Sequence, residues 1–199
     1  MRVWLLRHGE TDWNARRKYL GRTDLPLSGR GRLALIRADF APDRVYVSPL
    51  GRTAETAELL FPGARQIVVP DLREMDFGAF EGKSWREMEN LPAYRAWVEG
   101  GCVDAPPGGE SRRAFADRVC AAFASLVDGA AASGGSRLVI VAHGGTQMAS
   151  LERFALPRRD YFDWNGPLGG GFVLDAARWR EERVLTLLDT VQYTGGEGR

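Results

Sequence analysis

Only two histidines occur in the 199 residues, His8 and His143, and each follows a short apolar run. Val3 to Leu6 leads into Arg7-His8-Gly9, and Leu138 to Ala142 leads into His143-Gly144-Gly145. A neutral imidazole nitrogen is a nucleophile or proton carrier near neutral pH. Glycine directly after each histidine permits a tight turn and a close approach of backbone to ligand. The alternative is two unrelated histidines satisfied by backbone hydrogen bonds, but equivalent placement after two buried runs favours function. Arg7 abuts His8, and Arg52 falls in the expected first turn of a helix after Ser48-Pro49. A helix N-terminus attracts anions, and the planar arginine fork suits phosphate. Two arginines and two histidines, with no Cys, Asp or Glu cluster at metal-ligand spacing, predict phosphoryl chemistry without a metal or other cofactor. Such chemistry needs a proton donor for the leaving oxygen. The segment Leu72-Arg73-Glu74-Met75-Asp76-Phe77-Gly78-Ala79-Phe80-Glu81-Gly82 offers Glu74, Asp76 and Glu81, and chemistry alone does not choose among them.

These side chains need elements to hold them. Val3–Leu6, Val45–Val47, Gln66–Val69 and Leu138–Ala142 read as buried strands, with Phe172–Leu174 and Val184–Leu188 as later ones. Helical spacing of Leu33, Ile36 and Phe40 predicts a helix over 28–40, with Ser28 as its N-cap. Ala54, Ala57 and Phe61 predict another that stops at Pro62-Gly63. Ser84-Trp85-Arg86-Glu87 is a capping box. The longest helix is expected from Ser111 to about Asp128, with Phe115, Val119, Ala122, Phe123 and Leu126 on its apolar stripe. A further helix follows His143 to about Ala155. Alternating strands and helices predict an α/β fold, a three-layer α/β/α sandwich around a mostly parallel sheet. In such sheets ligands bind outside the carboxyl ends of the strands, where both histidines would lie. The expectation is a single domain over 1–199, with a Trp-, Tyr-, Pro- and Gly-rich insertion at about 82–110 capping those ends. Gly195 to Arg199 reads as a mobile tail.

Composition excludes several classes. Hydrophobic residues are 44% and charged residues 27%, too apolar for disorder, and a chain of this length buries roughly 70% of its unfolded surface. The 27 basic and 26 acidic residues nearly balance, which argues against nucleic acid or an anionic membrane as partner. No apolar run approaches the roughly 20 residues that span a bilayer, and Val3–Leu6 is too short for a signal peptide. Cys102 and Cys120 form no framework, so a soluble, cytoplasmic protein is expected. Nearly all cations are arginine, with only Lys18 and Lys83 as lysine.

Four blocks in order resemble the histidine phosphatase superfamily, also called phosphoglycerate-mutase-like. They are Arg7-His8-Gly9-Glu10-Thr11 with Trp13-Asn14, then Ser48 to Ala54, then Leu72 to Gly82, then Ala142-His143-Gly144-Gly145-Thr146. The resemblance implies that His8 attacks phosphorus and becomes a phosphohistidine that water hydrolyses. It implies that Arg7, Arg52 and His143 hold the equatorial oxygens, with Asn14 adding a neutral donor and the Gly144 turn beside them. It selects Glu74 as the proton donor and leaves Glu81 a structural role. Relatives often carry a small hydroxyl residue where this chain has Leu20, so a backbone N–H at Gly21 would have to substitute.

The short segment after Gly78-Ala79-Phe80-Glu81-Gly82-Lys83 resembles the phosphatase branch more than the mutase branch. The run from Leu72 through Tyr94-Arg95-Ala96-Trp97 to Pro107-Gly108-Gly109-Glu110-Ser111 is similar to α-ribazole phosphatases of cobalamin synthesis. The implied partner is a small phosphomonoester, α-ribazole 5′-phosphate, with a broad sugar-phosphate phosphatase, a phosphoglycerate mutase or a non-catalytic phosphate binder as alternatives. Trp85, Tyr94 and Trp97 would stack a flat base or merely pack the insertion. Arg112 and Arg113 would meet substrate or face solvent. Gly29-Arg30-Gly31-Arg32-Leu33-Ala34 fits a dinucleotide-binding pattern but lacks a strand ahead of it, and reads as a helix entry.

Overall fold

The computed structural model describes residues 1–195. In chain order β1 (Arg2–Arg7), α1 (Asp12–Ala15), α2 (Gly29–Ala34), β2 (Arg44–Val47), α3 (Gly51–Leu60) and β3 (Arg65–Val68) form the first half. Two short 3-10 turns at 70–72 and 78–80 lead to α4 (Trp85–Met88) and α5 (Pro92–Glu99). Then come α6 (Arg112–Ala132), β4 (Arg137–Ala142), α7 (Gly144–Phe154) and β5 (Ala155–Leu156). A 3-10 turn at Tyr161–Trp164 precedes β6 (Gly170–Asp175), α8 (Trp179–Glu182) and β7 (Leu185–Gln192).

The seven strands lie in the order β3-β2-β4-β1-β6-β7-β5. Every neighbouring pair is parallel except the two that involve β6, so β6 alone runs against the rest. Strands β1 and β4 are buried on both faces, which is why their sequences are continuous apolar runs. Val3, Leu5, Leu138 and Ile140 pack on one side with Phe123 and Val127 of α6 and Leu151 of α7. Trp4, Leu6, Val139 and Val141 pack on the other with Ala57 and Leu60 of α3. The chain is therefore an α/β sandwich of three layers. Among the described residues no helix is long and apolar enough to cross a membrane.

The register of β1 on β4 pairs Arg7 with Ala142, and the His8 N–H donates to the Ala142 carbonyl at 3.0 Å. His8 and His143 thus leave adjacent parallel strands side by side at their carboxyl ends. Val47 of β2 pairs with Val141, so Ser48 arrives at the same edge.

Local signals and structure part company at α2. The Ser28 side chain caps it by accepting from the Gly31 N–H at 2.8 Å, but the helix ends at Ala34. Leu35 turns extended and bridges to Thr194, and the Ile36 N–H donates to Tyr193 O. Pairing with the chain's last described segment outcompetes helix propagation, so Leu33 is 89% exposed and Ile36 49% exposed instead of buried. The two-residue β5 carries no periodic signal and was not expected. The expected tail lies outside the described residues except Gly195, whose N–H donates to Ala34 O at 2.9 Å. Between residues 78 and 110, Met88 of α4 and Tyr94 and Trp97 of α5 pack with Phe80.

Candidate active site

His8 is almost wholly buried, and its Nδ1 lies 2.7 Å from the Gly9 carbonyl. A carbonyl only accepts, so Nδ1 carries the proton and Nε2 presents a lone pair. Burial, reinforced by the charges of Arg52 and Arg7, holds this imidazole well below the usual histidine range. It is neutral near pH 7, with the tautomer a nucleophile needs.

The His143 ring stands edge-on to His8, with centroids 5.3 Å apart. Its Nε2 lies 2.7 Å from Ser48 Oγ, which is 3.1 Å from Thr53 Oγ1. Thr53 itself donates to the Leu50 carbonyl at 2.8 Å. With Ser48 donating to His143 Nε2, the ring proton sits on His143 Nδ1. Burial and then Arg52, His8 and Arg7 depress this histidine too.

Two arginines converge on the pair. Arg7 Nη1 donates to Asn165 Oδ1 at 3.0 Å and to the Gly166 carbonyl at 3.1 Å. Arg52 is wholly buried on α3, with Nη1 on Thr23 O at 3.0 Å and Nη2 on Gly21 O at 2.8 Å. Burial lowers it to about 10, still charged at neutral pH. Among the described residues Arg7 Nε, Arg52 Nε and His143 Nδ1 are all buried without a hydrogen-bond partner. Buried donors are rarely left so, and two arginines whose charges act on His8 suit an anion; of these residues Arg7 lines the cavity, whereas Arg52 and His143 lie behind its lining. The N-terminus of α7 adds its dipole, because Gly144 and Gly145 line the same cavity.

Glu74 completes the group. Its Oε1 accepts from the Met75 N–H at 2.9 Å and its Oε2 from the Gly145 N–H at 3.1 Å. Those N–H groups and the two arginines favour the carboxylate, but burial outweighs them and raises its pKa above the ordinary 4.5. Gly145 must be glycine, because an added Cβ would lie 2.9 Å from Phe115 Cζ and 3.1 Å from Glu74 Cδ. The cavity encloses about 310 Å³ over Arg7, His8, Asn14 and Glu74. Among the described residues no three or more His, Cys, Asp or Glu side chains gather as metal ligands.

The family model of the histidine phosphatase superfamily (branch 1) matches residues 3–182. The chain belongs to that superfamily. This histidine phosphatase is 35% identical over 153 residues to the probable phosphoglycerate mutase GpmB of Salmonella paratyphi C, covering 72% of this chain and 70% of the relative. It superposes on a putative α-ribazole-5′-P phosphatase of Escherichia coli with a TM-score of 0.81 at 26% identity, covering 99% of each chain. The α-ribazole phosphatase of Shigella flexneri gives 0.80 at 28% identity, covering 100% of both. A phosphoglycerate mutase of Thermus thermophilus gives 0.70 at 34% identity, covering 96% of this chain and 98% of the other.

Several expectations for this histidine phosphatase need correction. Gly21 does not line the cavity; its carbonyl is spent on Arg52, and an added Cβ would collide with Met75 O. The Gly21 carbonyl thereby supports the arginine. The start of α3 is no anion site either, since the Gly51 N–H donates to Asp24 Oδ1 at 2.8 Å. Leu20 lines the cavity with an apolar side chain. Asn14 does line it, and its Oδ1 accepts from the Thr11 N–H and hydroxyl, leaving its amide N–H groups as the free donors.

The three carboxylates separate cleanly. Glu81 accepts from the Arg22 and Thr23 N–H groups at 2.7 and 2.9 Å and from the Thr23 hydroxyl. Asp76 takes Arg22 Nη1 and the Gly78 N–H. Only Glu74 reaches the cavity. Of the aromatics, Trp97 lines it, Tyr94 is buried against Tyr19 through a 3.0 Å hydroxyl contact, and Trp85 is exposed elsewhere under Arg86. Arg112 lines it, whereas Arg113 is exposed and paired with Asp117.

Sequence reasoning missed Ser48 as the partner of His143, Asn165 as the partner of Arg7, and Arg118. The last holds Glu110 through two short bonds and donates to the carbonyls of Asp71, Arg73 and Glu74. It clamps the backbone that carries Glu74. The pairing of Arg118 with Glu110 eight residues away was the one available signal, but it looks like any surface helix pair.

Proposed function

We propose that the protein is a phosphomonoesterase that works through a phosphohistidine. The observation that carries this reading is a neutral His8 in the cavity wall with Nε2 free, under the charges of Arg7 and Arg52, whose buried Nε atoms have no hydrogen-bond partner among the described residues. His8 Nε2 attacks phosphorus in line, so a P–N bond forms as the P–O bond to the leaving alcohol breaks. Arg7, Arg52, His143 and Asn14 carry the charge that spreads over the equatorial oxygens. Glu74, whose pKa burial raises, gives its proton to the leaving oxygen. In the second half Glu74 takes a proton from water, which attacks phosphorus and releases His8. The protein groups supply the charge stabilisation, so no metal is assigned a role.

The substrate we assign is α-ribazole 5′-phosphate, which would place the enzyme in cobalamin synthesis and in the cytoplasm. The Escherichia coli and Shigella neighbours support it, as does Trp97 in the cavity wall. The names of the Salmonella and Thermus relatives favour a second reading, a phosphoglycerate mutase built on the same site. We read residues 82–110 as a cap on a single catalytic domain.

The deciding experiment measures phosphate release from α-ribazole 5′-phosphate, 3-phosphoglycerate, sugar phosphates and p-nitrophenyl phosphate. At least tenfold preference in kcat/KM for the first, about 1.4 kcal/mol of transition-state binding, is expected. His8→Ala should abolish turnover and the acid-labile phosphoenzyme, and EDTA should leave the wild-type rate unchanged. Even activity on all substrates discards the α-ribazole assignment; phosphoryl exchange on 3-phosphoglycerate selects the mutase; silence on all leaves a binding protein.

A further inference from the structure

Beyond the groups that face phosphate, the cavity is walled by Tyr19, Phe77, Trp97, Tyr161 and Phe162, and holds one further cation with no acidic partner, Arg112. The other lysine or arginine on this wall, Lys18, is spent on the Gly82 carbonyl at 2.8 Å and on Glu87. The Arg112 guanidinium makes no hydrogen bond or ion pair among the described residues, and the first turn of α6 carries no acidic residue. Its Cζ lies over the Tyr161 ring, 4.8 Å from the centroid, and Tyr161 is itself buried. Its backbone is fixed as well, because the Arg112 N–H donates to Val103 O at 3.1 Å. A cation held over a ring gives that ring one face and keeps its N–H donors for another partner.

The wall is poor in the opposite function. The amide oxygens of Asn14 and Asn165 are both occupied, by Thr11 and by Arg7. A polyol leaving group has no flat face for these rings to cover. A flat ring carrying acceptor atoms matches aromatic faces and a free guanidinium. Phe162, 59% exposed at this wall, leaves an apolar face for such a ring to cover.

We propose that Arg112 is a specificity-determining residue: it donates to an acceptor atom on the ring of a heteroaromatic nucleoside leaving group, while Trp97 and Phe162 cover the ring's faces. This rests on the phosphomonoesterase reading above and adds the residue that selects among monoesters.

The test compares wild type with Arg112→Met, which keeps an apolar stem and removes the donors, on α-ribazole 5′-phosphate and on phenyl phosphate. Phenyl phosphate has the ring without acceptor atoms. Losing a charged hydrogen bond should cost about tenfold or more in kcat/KM on the nucleotide, carried mainly by KM. Phenyl phosphate should change less than about twofold, and Arg112→Lys should restore only part of the nucleotide rate. An equal loss on both substrates, or no loss on the nucleotide, overturns the assignment while the hydrolytic reading stands. Wild-type hydrolysis of phenyl phosphate but not of the nucleotide also overturns it. Wild-type silence on both substrates overturns the phosphomonoesterase reading, and the role of Arg112 with it.

Discussion

Gly145→Ala disturbs the proton donor without replacing it. The new Cβ would lie 2.9 Å from Phe115 Cζ and 3.1 Å from Glu74 Cδ, and nearer still to Glu74 Oε1. Carbon atoms in contact prefer about 3.5–4.0 Å, so something must move by roughly 0.5–1 Å. Phe115 is wholly buried among Met75, Val119 and Tyr161 and has little room to retreat. Glu74 therefore moves and stretches its 3.1 Å bond from the Gly145 N–H. A misplacement of about 1 Å in a catalytic group costs on the order of 10²-fold, about 2.7 kcal/mol, with full removal of a general acid at ~10²–10⁴ as the bound. The overpacking itself should cost about 1–3 kcal/mol of stability, leaving a folded enzyme to assay below its melting transition. The readout is kcat/KM on phenyl phosphate against p-nitrophenyl phosphate, beside Glu74→Gln. A p-nitrophenolate leaves with little help from an acid, so the loss should fall mainly on phenyl phosphate in both variants. Equal losses on the two substrates, or no loss on phenyl phosphate in a folded Gly145→Ala protein, would refute this reasoning.

Other outcomes follow from the same geometry. The reactive form needs His8 neutral and Glu74 protonated, which ordinary values near 6.5 and 4.5 would make a minor species at every pH. Burial moves His8 down and Glu74 up, which enlarges that species, so kcat/KM should be bell-shaped in pH. A flat profile from about pH 4 to 9 contradicts both assignments. His143 is depressed on folding, so the stability it confers is present above about pH 6.5 and is lost as pH falls through its lower folded value. In thermal melts, His143→Asn should therefore flatten the fall of Tm below about pH 6.5; an unchanged slope sinks the idea. Arg118→Leu leaves Glu110 and three carbonyls without their donor, and should cost ~3 kcal/mol in urea unfolding and lower kcat more than it raises KM.

What the sequence determined by itself was whatever depends on near neighbours. The apolar runs before His8 and His143 identify strands buried on both faces, and the N-caps at Ser28 and Ser84 both form, because a cap needs only a side chain and an N–H three residues on. With the strands located, the carboxyl-end rule brought the two histidines to one edge. Tertiary structure decided the rest. Leu33, Ile36 and Phe40 have helical spacing, yet the helix stops at Ala34 because Leu35 and Ile36 pair with residues 193 and 194. Glu74, Asp76 and Glu81 are chemically alike, and they diverge because Glu74 meets the Gly145 N–H, 71 residues away at the cavity, while Glu81 is spent on the Arg22 and Thr23 backbone and Asp76 on the Arg22 side chain, 54 residues away in the other direction. Trp97, Tyr94 and Trp85 separate in the same way, by which neighbours cover them. Protonation states, unpartnered donors and cavity walls are set by atoms far apart in the chain, and no local pattern encodes which of them meet.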